Sequence, residues 1–202
     1  MTMNNNIPCI YINGLSNNKF FSNLVLYFWR KSNMNFFFAN INWFDNDNFI
    51  TKKNEILLLA KSLIEKYGKL AIIGVSAGAS LAINIFNDIK KENILLVLVN
   101  GRVNIGNYKN SNKNSLYSRS KINNKKSYKA FYDMVTTSDN IVNNTLLEKD
   151  KLKILVMNSY LDFIVPRNLS FIENAKVITS PTIGHNLGIF FIDPGIFLLT
   201  GA

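Results

Sequence analysis

The chain has 202 residues, 48% of them hydrophobic and 18% charged. That is enough apolar side chain to offset the entropy of ordering, which excludes a disordered chain and points to a single domain over 1–202. The net charge of +10 comes from lysines spread along the chain among abundant Asn, Ile, Phe and Tyr. It reads as compositional drift, so no specific nucleic-acid partner is expected. The sequence has one cysteine, Cys9, and one histidine, His185, which excludes an internal disulfide and a zinc site of the usual Cys/His kind; no metal is expected. Residues 1–6 lack the features of a signal peptide, and no uninterrupted apolar run reaches about 18 residues. Neither a leader nor a membrane span is expected, and the default compartment is the cytoplasm.

Taken in order, the apolar pattern switches between short continuous runs and helical spacing, the sign of strands buried on both faces alternating with covering helices. Ile7–Asn13 reads as a strand, Phe20–Lys31 as a helix and Phe36–Ile41 as a second strand. Thr51–Tyr67 is an amphipathic helix with Ile56, Leu59, Leu63 and Ile64 inward and Gly68 as its stop. Leu70–Val75 is a six-residue apolar strand running into Ser76, and Ala79 to about Lys91 is a helix. Ile94–Asn100 and Lys153–Asn158 are strands, Asn168–Asn174 a short helix and Lys176–Thr179 a last strand. The apolar segment Leu187–Leu199 is broken by Asp193, Pro194 and Gly195, and is expected to pack as a helix on the sheet. This order implies an α/β three-layer sandwich with a mostly parallel sheet of about six strands and helices on both faces.

The stretch from about 102 to 150 departs from that rhythm. It is rich in Asn, Ser, Lys and Tyr, with helical character only around 126–135 and 140–149. A segment of this kind inside a compact domain reads as a small lid-like insertion. Arg102, Tyr108 and Tyr117 are its candidates for approaching a substrate, against the alternative of solvated loop residues.

The chemistry begins at Gly74-Val75-Ser76-Ala77-Gly78. A serine between a strand and a helix, flanked by small residues, stands on a turn tight enough to expose its hydroxyl. The competing reading is a glycine-rich strand-to-helix turn with no catalytic role. A serine nucleophile needs a base, and His185 lies in Thr182-Ile183-Gly184-His185-Asn186, just beyond the last strand. The imidazole needs an orienting carboxylate, and Asp162 follows the Lys153–Asn158 strand in Asp162-Phe163-Ile164-Val165-Pro166. Two other patterns are weaker. Ser118–Lys121 fits S-x-x-K without any companion motif, and Cys9 could pair with His185 but lies inside a strand.

The order Ser76, Asp162, His185, each after a strand, resembles the α/β-hydrolase family, as do the Asp-x-x-Val-Pro and Gly-His elements. The resemblance covers nearly the whole chain, with the sheet starting at what is normally the third strand, as in short members with little lid. It implies a carboxylesterase-like serine hydrolase acting on a small-molecule acyl substrate, an ester, thioester or amide, with no cofactor. It also implies Gly74 and Gly78 as the elbow glycines, and an oxyanion hole built from the N–H groups of Ala77 and Leu15. Many relatives carry His-Gly where this chain has Asn13-Gly14. The alternatives are acyl transfer on the same triad, or a non-catalytic protein of this fold whose basic lid binds an anionic partner.

Overall fold

A computed structural model of the protein describes residues 7–14, 27, 34–39, 41–43, 49–89, 93–104, 125–162, 165 and 167–183, without the side chains of 125–128, 168, 182 and 183. The elements run β1 (Ile7–Ile12), β2 (Met34–Ala39), α1 (Phe49–Tyr67), β3 (Leu70–Val75) and α2 (Ala77–Ile89), followed by β4 (Ile94–Val99). Then come α3 (Lys125–Asn144), α4 (Glu148–Lys151), β5 (Ile154–Leu161), α5 (Arg167–Ser170) and β6 (Lys176–Ile183). The strands form one six-stranded sheet in the order β2-β1-β3-β4-β5-β6. Every neighbouring pair is parallel.

The continuous apolar strands are explained by burial on both faces. One face presents Ile10, Ile12, Leu70, Ile72, Leu96, Leu98, Ile154 and Val156 to the helices. The alternate residues Cys9, Tyr11, Ala71, Ile73, Val97, Val99, Leu155 and Met157 are buried on the other. With a side-chain period of two, only a strand covered on both sides is apolar at every position. Of the expected helix Phe20–Lys31 only Tyr27 is described, helical and exposed. The expected C-terminal helix Leu187–Leu199 lies outside the described residues.

Helix α1 buries Ile56, Ala60, Leu63 and Ile64, spaced to form one stripe. It ends at Gly68, whose φ of 70° and N–H bond to the Ile64 carbonyl at 2.8 Å make the left-handed stop that a glycine permits. Helix α2 lies against the middle of the sheet and buries almost every residue, including Leu81, Ile85 and Phe86.

Within the segment 102–150, residues 105–124 lie outside the described set, while 125–144 form the single helix α3. It packs Phe131, Met134, Val135, Ile141 and Val142 into the same core as α2. The polar stretch between its two expected halves stays helical, with the Thr136 and Thr137 hydroxyls satisfied by donating to the carbonyls of Tyr132 and Asp133 at 2.8 and 2.7 Å, as mid-helix threonines can. The buried Ser138 hydroxyl bonds to the Val103 carbonyl at 3.1 Å, tying α3 to the end of β4.

β1 and β4 each stop one residue short of the sequence reading, at Ile12 and Val99, and the other strands apart from β3 differ by more. β2 starts at Met34 and pairs in register from Ile7↔Met34 to Ile12↔Ala39, whereas Ile41 leaves the ladder for Asn13, as described below. β5 and β6 both run past their expected ends at Asn158 and Thr179, because they pair with each other up to Leu161↔Ile183. Pro181 is accommodated within β6 at the end of the sheet order, where one strand edge needs no N–H donor.

A core this closely filled predicts graded costs. Phe86→Ala is expected to destabilise by about 3–5 kcal/mol and Ile72→Val by about 0.5–1.5 kcal/mol, read as shifts in the urea unfolding midpoint.

Candidate active site

The chain runs from β1 outward to β2, then returns to place β3 on the other side of β1. The carboxyl ends of β1 and β3 therefore diverge into connections on opposite sides, which opens a crevice where ligands bind in open α/β sheets. Ser76 stands at this point. It has a φ of 53°, a left-handed backbone that costs energy for a non-glycine residue and recurs at functional turns. Its N–H donates to the Val99 carbonyl at 3.0 Å, and its carbonyl accepts from Ala79 N–H at 3.1 Å and Arg102 N–H at 3.3 Å.

The turn closes only because its neighbours lack side chains. A Cβ on Gly74 would lie 2.6 Å from Ala79 Cα and 2.7 Å from Ala82 Cβ; one on Gly78 would meet the Ile12 carbonyl oxygen and lie 2.7 Å from that of Asn13. Gly74 and Gly78 thus bring β3, α2 and the end of β1 into backbone contact. Gly14 covers the serine itself: its Cβ would sit 3.0 Å from Ser76 Cβ and 3.5 Å from Ser76 Oγ. Ser76 is half-buried. As the first residue of α2, Ala77 has an N–H beyond the reach of the intrahelical ladder, at the helix end whose dipole favours developing negative charge.

Asn13 has a defined structural task. Its carboxamide accepts the Ile41 N–H at 2.9 Å and donates to the Ile41 carbonyl at 3.3 Å and the Gly14 carbonyl at 2.9 Å. The Trp43 indole N–H donates to the Asn13 carbonyl at 3.2 Å. The loop after β2 is thereby docked on the end of β1. Lys52 in the first turns of α1, itself buried, holds the same loop by donating to the Asn42 carbonyl at 3.0 Å.

Asp162 follows β5, two strands from β3 across β4, with Val75↔Val99 and Val99↔Met157 in line; two strand spacings are about 10 Å. It is half-buried, and its Oδ1 accepts the Val165 N–H at 2.9 Å. Ser76, Ala77, Gly74, Gly78 and Asp162 therefore belong to the carboxyl end of the sheet. Arg102 is there too, buried, with its backbone bonded to the turn: besides its N–H on Ser76, its carbonyl accepts the Ser80 hydroxyl. His185, Leu15, Tyr108, Tyr117 and the Ser118–Lys121 pattern lie outside the described residues. Cys9 is fully buried in mid-strand, and burial pushes its thiol well above the ordinary range, the reverse of a nucleophilic cysteine.

Two residues at this end of the sheet were not singled out in the sequence. Asn100, with a φ of 46°, bonds through its carboxamide to both the N–H and the hydroxyl of Ser159. The signal was the Asn100-Gly101 pair at a strand end, a pair suited to left-handed backbone. Among the described residues no group of three or more His, Cys, Asp or Glu is placed to hold a metal ion, and no helix is long and apolar enough to cross a membrane.

No family model matches the chain, and no curated protein matches it. Solved structures do. A carboxylesterase of the ammonia-oxidizing thaumarchaeon Nitrososphaera gargenis superposes with a TM-score of 0.63 at 12% identity, covering 98% of this chain and 90% of its own. The bromoperoxidase of Bacillus anthracis gives 0.56 at 13% identity over 96% and 91%. A serine hydrolase of the bacterium Cycloclasticus zankles gives 0.53 at 15% identity over 92% and 85%. The protein therefore has the α/β-hydrolase fold. It is a compact version of it, an open six-stranded parallel sheet with the strand–Ser76–helix turn at its switch point.

Two outcomes follow from the packing around Ser76. Gly78→Ala is expected to lower stability by about 1–3 kcal/mol in a thermal melt, since backbone carbonyls cannot step aside. In the native protein Cys9 is expected to resist iodoacetamide at pH 8 and to be alkylated at once in denaturant, as followed by mass spectrometry.

Proposed function

We propose that the protein is a serine hydrolase that cleaves a small-molecule ester, thioester or amide through an acyl-enzyme on Ser76. The observation that carries this is the left-handed Ser76, φ 53°, held between β3 and α2 under a glycine that leaves its hydroxyl room. An unreactive strand-to-helix turn has no need to place a serine there. Further support comes from Asp162, fixed on the same end of the sheet, and from solved structures of the same fold described as a serine hydrolase, carboxylesterases and a monoacylglycerol lipase.

In this reading His185 takes the proton of the Ser76 hydroxyl as Oγ attacks the acyl carbon, and Asp162 fixes the imidazole tautomer and stabilises the imidazolium. The N–H groups of Ala77 and Leu15 hold the oxyanion of the tetrahedral intermediate. His185 then returns the proton to the departing alcohol, thiol or amine, leaving the acyl group on Ser76. Water, deprotonated by the same imidazole, attacks the acyl carbon; the carboxylate product departs and Oγ regains its proton. No cofactor enters any step. The single unbridged cysteine fits a reduced, cytoplasmic setting.

A fluorophosphonate probe is expected to label the wild-type protein and to spare Ser76→Ala; equal labelling of both would sink the proposal. Against a panel of p-nitrophenyl esters, Asp162→Asn should lower kcat by roughly 10³–10⁴-fold. The rate should rise with pH as the imidazole loses its proton and then level off. Product analysis with added alcohols distinguishes hydrolysis from acyl transfer.

A further inference from the structure

β4 lies between the strand that carries Ser76 and the strand that leads to Asp162, and its last residue and those just after it hydrogen-bond to both. On one side the Val99 carbonyl and the Arg102 N–H hold the Ser76 backbone. On the other, the Asn100 N–H donates to the Met157 carbonyl at 2.8 Å. The Asn100 carboxamide extends this contact beyond the ladder, its Oδ1 accepting the Ser159 N–H at 2.7 Å and its Nδ2 donating to Ser159 Oγ at 3.0 Å. Asn100 is 2% exposed and Ser159 fully buried, so these bonds form away from competing water, where they are stronger and a lost partner is costly.

Their position along β5 matters. Pairing between β5 and β6 is regular through Ser159↔Ser180 and then shifts before Leu161↔Ile183. Irregularities of this kind bend a strand and re-aim the side chains beyond them. The clamp grips β5 at the last regularly paired residue, three before Asp162, while the Val165 N–H holds the carboxylate from the far side at 2.9 Å. The backbone at position 100, with φ at 46°, is open to glycine as well as asparagine. Glycine satisfies the turn; only asparagine also supplies the clamp.

We propose that Asn100 is a positioning residue: through Ser159 it sets the Asp162 carboxylate at a fixed offset from Ser76, both being anchored on opposite sides of Val99–Asn100. This rests on reading Ser76, His185 and Asp162 as a triad, and the test separates the two ideas. The sequence contains one histidine, so an NMR pH titration gives one imidazole signal and reports on the carboxylate without substrate. Asp162→Asn is expected to lower the titration midpoint, because the imidazolium loses its partner. Asn100→Gly keeps the left-handed backbone and is expected to lower the midpoint by part of that amount. It should also cut kcat for ester hydrolysis by about tenfold or more with KM little changed, as small misplacements of catalytic groups do. Ser159→Ala, which keeps the bond to the Ser159 N–H, should show a smaller effect of the same sign. If Asn100→Gly does not fold, Ser159→Ala carries the comparison. A midpoint that responds to Asp162→Asn but to neither clamp variant, with kcat at the wild-type value, overturns the positioning role. A midpoint indifferent to Asp162→Asn overturns the triad reading and this inference with it.

Discussion

The close approach of α2 to the ends of β1 and β3 is the constraint on which the rest of this molecule depends. A helix that follows a strand by a single left-handed residue has to pass its first turn directly over the neighbouring strand. Here that leaves no volume for a Cβ at Gly74 or Gly78, and hardly any at Gly14. The backbone contact places Ser76 at the turn with its peptide groups bonded back into the sheet. The same proximity leaves little room for larger side chains at Ala82, whose Cβ faces Gly74, and at Ala79, whose Cβ faces Gly101. Strain in φ at Ser76 is sustained because the surrounding packing leaves no alternative.

The segment after β4 distributes that rigidity across the sheet. Besides its bonds to Ser76 and Ser159, it accepts the Ser138 hydroxyl of α3 at the Val103 carbonyl. It also donates the Val103 and Asn104 N–H groups to the Leu169 carbonyl of α5, and the Asn104 carboxamide donates to the Phe171 carbonyl at 2.7 Å. A few consecutive residues thus join the Ser76 turn, the strand leading to Asp162, the crossover helix and the short helix that follows the Asp162 loop. Loops that carry function are commonly held by a rigid scaffold; here part of the scaffold is itself a loop.

What the sequence made legible was local. Continuous apolar runs identified the strands because every position of β1, β3 and β4 is covered, and Gly68 marked the end of α1 because its stop is a single-residue event. The glycine pattern around Ser76 was readable for the same reason. What escaped depends on partners far along the chain. The Phe36–Ile41 reading placed Ile41 in β2, since nothing nearby reveals that Asn13, 28 residues away, takes its backbone out of the ladder. The Asn100–Ser159 pair spans 59 residues, and each member alone looks like an ordinary polar residue at a strand end. Likewise α3 read as two pieces because its polar middle is satisfied by its own carbonyls and by Val103, which hydropathy does not register.

Ser76 has its N–H bonded to Val99 within the sheet, and it is placed by strands whose flanking residues belong to the two buried clusters. Amide exchange at such a position requires β3 and β4 to part, an opening on the scale of the whole domain rather than of a loop. The Ser76 turn therefore has no cheap disordered form of its own. On heating, its geometry persists as long as the central sheet does and disappears with it, so that on this side of the crevice the melting of the fold and the loss of the turn are one cooperative event.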